Sequence, residues 1–99
     1  MTGYRLTPAA ELDLDEIWDY TAERWSAEQA ESYLSVIRDA CEGLANGLRR
    51  GRSIDEIRTG YWKLSVGSHF LFYRFGESGA GEIMRILHQR MDVSRHLGR

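Results

Sequence analysis

The side chains of this 99-residue chain that could do chemistry are few and scattered. Three histidines, His69, His88 and His96, have neither the short ligand spacing nor the cysteine companions of a metal site. His69 directly follows the Gly67-Ser68 pair and His88 closes a strand-like run. Imidazoles in such places commonly bond to backbone, and they read as structural. Cys41 lies inside the apolar stripe of a helical segment, where a free cysteine packs as a small hydrophobe. As a nucleophile it would need a base and an oxyanion site, and neither is visible. Being alone, it can form no internal disulfide, which fits a reducing compartment. The carboxylate pairs Asp13/Glu16 and Asp15/Asp19 have the spacing of acid–base or cation-binding pairs. They also fall in or near the first turns of a helix, where the helix dipole favours acids. Only Asp13 borders an apolar stripe. The glycines of 76–81 lack the Lys-Ser/Thr of a phosphate loop. These residues imply no catalytic set, metal or cofactor.

The elements that would position them follow from periodicity. Tyr4 to Thr7 alternates and predicts a short strand. Thr7-Pro8 is a helix start, Thr as N-cap and Pro at the first helical position. The helix runs to about Arg24, with Ala10, Leu14, Ile17 and Thr21 in one stripe, Trp18 at its edge and Leu12 on the far face. Ser26 and Gln29 have capping-box spacing. The second helix carries Ala30, Tyr33, Leu34, Ile37, Cys41 and Leu44 at helical period and stops at Asn46-Gly47. The short link between the helices makes them an antiparallel hairpin. Leu48 to Gly60 reads as an ordered loop pinned by Ile54 and Ile57. Tyr61–Val66, His69–Phe75 and Glu82–His88 read as strands, the first two joined by a Gly67-Ser68 turn. Asp92 is placed to cap a last short turn through Leu97. The expected architecture is α+β, in the order β-α-α-β-β-β, a helical hairpin on an antiparallel sheet, with residues 1–99 as one domain.

Charge is divided along the chain. The net formal charge is -2, yet residues 1–47 hold ten acids and three bases, and residues 48–99 hold ten bases and five acids. The acidic total argues against general nucleic-acid binding, and no sequence-specific contact with nucleic acid is expected. No apolar run reaches the ~20 residues of a membrane span. Residues 1–6 lack a secretory signal's apolar stretch, so the expected location is cytoplasmic. The segment from Ile86 to Asp92 is polar and mixed beyond the needs of any turn. Two roles compete for the residues after the last strand. Gln89, Arg90, Met91, Arg95, His96 and Leu97 form a contact surface, or Met91 and Leu97 tuck back and seal the sheet.

Tyr4-Arg5-Leu6-Thr7-Pro8-Ala9-Ala10, Asp13-Leu14 with Ile17 and Tyr20, Gly67-Ser68-His69 with Phe72-Tyr73-Arg74, and Ile86 through Asp92 together resemble the ParE toxins. These form one branch of the RelE/ParE superfamily of type II toxin–antitoxin modules. The resemblance covers nearly the whole chain. It implies a protein that blocks DNA gyrase, and so replication, and is neutralised by a ParD-like antitoxin. The RelE-like branch instead cleaves messenger RNA on the ribosome. Where that branch often has an arginine in the third strand, this sequence has Phe70, although Arg90 stands at a place that is often basic there. A degenerate toxin that only binds antitoxin is the third alternative. For the antitoxin, an amphipathic helix in an apolar groove between hairpin and sheet is expected, with Leu12, Trp18, Tyr20, Trp25 and Trp62 as exposed anchors. The target is expected to meet the C-terminal set from Gln89 to Leu97.

Overall fold

A computed structural model describes residues 3–91 and 96–97. The chain runs β1 (Tyr4–Leu6), α1 (Pro8–Arg24), α2 (Ala27–Ala45), β2 (Arg52–Ser53), β3 (Trp62–Val66), β4 (His69–Phe75) and β5 (Gly81–His88). Both helices start where their caps predict. Thr7 Oγ1 accepts from the Ala10 amide at 3.1 Å, and Ser26 Oγ from the Gln29 amide at 3.0 Å. At the far end of α2 the Asn46 amide donates to Glu42, and Gly47 takes φ 81°, a left-handed value open to glycine at little cost.

The sheet has five strands in the order β1-β5-β4-β3-β2. Two features correct the sequence expectation. The sheet is mixed, because β1 pairs with β5 in parallel. The loop at 48–60 also contributes β2, a two-residue edge strand antiparallel to β3. Neither is a local property. A three-residue strand takes its direction from a partner far along the chain, Tyr4 pairing with Gly81, and two residues show no alternation.

The helical hairpin covers one sheet face. Ala10, Ile17, Leu34, Ile37, Ala40, Cys41 and Leu44 pack there on Val66, Leu71, Tyr73, Ile83 and Ile86. The opposite face has its own smaller core of Ile54, Tyr61, Phe72, Leu87 and Leu97, with Ile57, Phe70 and Met84 half-buried beside it. The loop expected to be pinned by Ile54 and Ile57 is therefore a cover for this second face. A sheet buried on both sides compensates for the modest core a chain this short can build.

One irregularity positions the functional groups. Phe72 pairs with Arg85 but Tyr73 pairs with Ile83, so β5 carries Met84 as an extra residue. Such a bulge re-aims the side chains after it. Met84 packs in the second core while Ile83 and Ile86 pack on the helix side, and the Arg85 guanidinium reaches Asp13 of α1. Also, β1 ends opposite Ile83, leaving the rest of β5 without a strand neighbour on that side. The start of α1 fills the gap. Thr7 Oγ1 donates to the Met84 carbonyl at 2.9 Å, and Asp13 accepts from the Ile86 amide at 2.9 Å.

Candidate functional site

Asp13 anchors the floor of a groove between α1, α2 and the ends of β4 and β5. Its carboxylate is only 7 % exposed and takes both prongs of Arg85, Nε at 2.8 Å and Nη2 at 3.0 Å, besides the Ile86 amide. The fork geometry matches a guanidinium to a carboxylate and satisfies both charges. The bond to Asp13 pushes the Arg85 guanidinium further up from its ordinary value, more than burial lowers it. The sequence singled out Asp13 as the acid bordering the apolar stripe; the structure adds the partner.

Beside it lies a hydrogen-bonded strut. Gly67 takes φ 57° in the β3–β4 turn, and a Cβ there would stand 2.7 Å from the Tyr33 ring. Glycine is thus required twice over, by conformation and by space. With the turn this close, the Tyr33 hydroxyl accepts from the Ser68 amide at 3.0 Å and lies 2.6 Å from His69 Nδ1. Burial pushes the Tyr33 hydroxyl up, so it keeps its proton. It pushes the His69 imidazole down to about 4, helped by His88 and opposed by Asp13. The Tyr33 hydroxyl thus bridges the Ser68 amide and a neutral imidazole. His88 completes the stack edge-on to His69, with ring centroids 5.2 Å apart. Its Nδ1 accepts from the Arg90 amide at 3.1 Å. The His88 ring bonds to backbone as expected, whereas the His69 ring bonds to the Tyr33 side chain.

The sign of the His69 shift gives a prediction. Unfolded, the imidazole titrates near 6.5; folded, near 4. The unfolded chain binds the extra proton first, so the stability this site provides is complete above 6.5 and is lost as pH falls toward 4. Thermal melts across that window are expected to show a falling Tm for the native chain and a shallower fall for His69→Gln. Parallel profiles would reject a neutral buried imidazole.

Above floor and strut the groove encloses about 490 Å³, lined by Ile17, Tyr20, Thr21, Trp25, Gln29 and Met91 along with Glu16 and the residues just described. Tyr20 and Trp25 stand exposed at its wall, Trp25 at 66 %, and Met91 at 46 %. The structure therefore joins residues expected on two separate surfaces. Tyr20 and Trp25 from the antitoxin set meet Met91 from the target set.

The remaining expected residues lie elsewhere. Leu12 is exposed and does not line the groove. Trp18 and Trp62 are corrected as exposed anchors, because both rings are half-buried against the main core and Trp62 stacks on Tyr73. A helical wheel puts Trp18 at a stripe's edge, but only the sheet beneath decides how much of it is covered. Gln89 is tied to the β3–β4 turn, its amide to the Ser68 carbonyl at 2.9 Å and its Nε2 to the Gly67 carbonyl at 3.1 Å. Arg90 and His96 are exposed. Leu97 is corrected as an exposed contact: it is 3 % exposed in the second core, and its carbonyl takes the Arg58 guanidinium at 3.1 Å. Arg95 and the cap expected at Asp92 lie outside the described residues.

Cys41 is buried away from the groove, and burial pushes its thiol up to about 12, far from a reactive thiolate. Among the described residues no three of His, Cys, Asp and Glu stand close enough to hold a metal ion, and no helix is long and apolar enough to cross a membrane. Among the lining residues, Thr21, Gln29 and Tyr33 read in the sequence only as parts of their helices. Tyr33 alone left a signal, a polar tip on an otherwise apolar stripe.

The fold is thus a two-helix hairpin over a five-stranded mixed sheet, with an apolar groove at the end where the short link joins α1 to α2. Two solved structures share the fold. One comes from a chromosomal ParDE system of P. aeruginosa, with a TM-score of 0.75 at 22 % identity over 89 % of this chain and 96 % of that one. The other is from the RelBE2 toxin–antitoxin complex of Mycobacterium tuberculosis, with a TM-score of 0.63 at 21 % identity over 91 % of this chain and 93 % of that one. In sequence, the chain is 53 % identical over 94 residues to the Toxin ParE1 of Mycobacterium tuberculosis, covering 95 % of this chain and 96 % of the relative. It is 41 % identical over 98 residues to the Toxin ParE1 of Caulobacter vibrioides, covering 99 % and 100 %. The family model described as the ParE toxin of the type II toxin–antitoxin system parDE matches residues 4–93. The chain belongs to the ParE toxin family.

Proposed function

We propose that this ParE-family toxin acts in the cytoplasm on DNA gyrase, without catalysis of its own, and is neutralised by a ParD-like antitoxin. The observation that carries this reading is the 53 % identity to a Toxin ParE1 over 95 % of the chain. The groove supplies a route to neutralisation. An amphipathic antitoxin helix laid against Tyr20 and Trp25 covers Met91, at the start of the segment assigned to the target, so one partner excludes the other. Exposed aromatic rings at a concave site are typical anchors of such helices.

A ribonuclease of the RelE type fits the residues less well. Its usual third-strand arginine is replaced by Phe70, whose ring packs edge-on to Phe72 and carries the Lys63 ammonium on its face at 4.3 Å. His69 is held neutral and bonded to Tyr33, which suits a strut more than a proton-transfer group at neutral pH.

Trp25→Ala is expected to weaken antitoxin binding by ~2 kcal/mol or more, as loss of an aromatic anchor does. Because the ring is exposed, stability should move by only about 0.5 kcal/mol. Calorimetric titration beside a thermal melt measures both, and unchanged affinity would remove Trp25 from the interface. The function as a whole is tested by inducing the chain in cells with and without its antitoxin while following DNA synthesis and transcript integrity. Arrested DNA synthesis with gyrase-bound breaks and intact transcripts is the expected result. Cleaved transcripts with continuing replication would establish the ribonuclease instead.

A further inference from the structure

A second groove opens at the other end of α2. Gln29 lines the first groove and Leu44 the second, about 22 Å apart along the helix at ~1.5 Å per residue. The second groove encloses about 350 Å³ over Leu44, Trp62, Tyr73 and Phe75, with Arg49 and Arg50 on its rim. Phe75 is exposed, and Leu48, next to the arginines in sequence, is 82 % exposed. The groove runs beside β2, the last strand of the sheet, whose outer edge pairs with no other strand among the described residues.

The charges around that edge are one-sided. Arg49, Arg50 and Arg52 are all exposed and make no ion pair with any described residue. Arg52 lies directly across from Lys63 in the β2–β3 pairing, so like charges face each other, an arrangement that weakens a strand pair. Residues 48–63 hold five cations against the carboxylates of Asp55 and Glu56, in a chain of net charge -2. Arg49 has a local role, since its amide bonds to the Gly43 carbonyl at 2.9 Å and its stem crosses Gly43, placing a cation at the negative end of α2. No described contact gives Arg50 or Arg52 a comparable role.

We propose that this groove and its arginine rim receive an acidic segment of a protein partner. An extended segment running along the β2 edge presents alternate side chains to the two sheet faces. Apolar side chains on the helix side cover the mouth of the groove beside Arg50, and carboxylates on the other face meet Arg52, which lies on the same face as Lys63. A nucleic-acid strand would meet the same arginines, but its continuous charge extends beyond the patch toward the first 47 residues, which hold ten of the chain's fifteen acids. A short acidic segment is screened from those acids beyond ~8 Å and feels mainly the local patch. This surface is separate from the groove at the opposite end of α2 and does not depend on the toxin's target.

The test uses a fluorescein-labelled synthetic peptide alternating glutamate with leucine and phenylalanine, titrated with the whole protein by anisotropy. Saturable binding is expected. It should weaken about tenfold or more in the Arg50→Glu/Arg52→Glu variant, and by a similar factor when the peptide's glutamates are replaced by glutamine, as loss of close charge pairs does. Oligothymidine should not displace the peptide. If the double variant fails to fold, the glutamine peptide and a salt series on the native chain make the same comparison. No saturable binding, equal binding of both peptides, or displacement by oligothymidine would each overturn the proposal. Absent binding together with a double variant that self-associates would show that the arginines only keep the sheet edge from pairing with itself.

Discussion

Asp13→Ala is expected to destabilise the fold by ~3 kcal/mol, near the lower end of the loss for one partner of a buried ion pair, since the Arg85 side chain is 29 % exposed. The variant would leave the Arg85 guanidinium without its carboxylate and the Ile86 amide without an acceptor, at the point where β1 stops and β5 has no other strand on that side. A domain of this size holds ~5–15 kcal/mol in all, so the change removes a large share and should shift the urea midpoint strongly. The natural comparison is Glu82→Ala. Glu82 also binds two arginines, its neighbours Arg5 on β1 and Arg74 on β4, but their side chains are 60 % and 48 % exposed. Surface pairs of that kind contribute little, so Glu82→Ala should leave the midpoint close to that of the native chain. Equal losses from the two variants would mean that Asp13 is a surface acid in solution, and that the bulge is held by something other than α1.

The second large effect lies at the C-terminal end. Leu97→Ala is expected to cost ~2–5 kcal/mol, because the side chain fills the second core between Ile54, Tyr61, Phe72 and Leu87. Arg90→Ala combined with Arg95→Ala should behave in the opposite way. Arg90 is exposed, so stability is expected to stay within about 0.5 kcal/mol of native, while toxicity is lost if this segment meets the target. The two roles weighed for the segment are thus divided between its residues: Leu97 seals the sheet, while Arg90 and Met91 face solvent. A folded double-arginine variant with full toxicity would end the contact role, and a Leu97→Ala variant with an unchanged melting temperature would end the sealing role.

The features legible in the sequence were those that depend on near neighbours. Thr7-Pro8 and Ser26 with Gln29 mark both helix starts because capping joins residues three positions apart. Gly67 marks the β3–β4 turn because its φ has a strong residue preference. The features that needed the structure are all pairings across long stretches of chain. Asp13 finds Arg85 72 residues away, next to a bulge in β5 that no local pattern marks. Tyr33 finds His69 36 residues away through a turn that only glycine permits. Trp18 and Trp62 look alike to Trp25 in a helical or alternating pattern, yet packing on the main core half-covers those two and leaves the third at the groove wall. For the same reason the sequence keeps Met91 apart from Tyr20 and Trp25, which the structure places around one groove.

The gyrase assignment is tested most directly by a supercoiling assay with purified DNA gyrase, relaxed plasmid and this chain, run with and without its antitoxin. The chain is expected to block supercoiling and trap cleaved plasmid on the enzyme, and adding the antitoxin should restore activity. Unimpaired supercoiling at excess toxin, from a preparation that cleaves messenger RNA on translating ribosomes, would contradict the assignment.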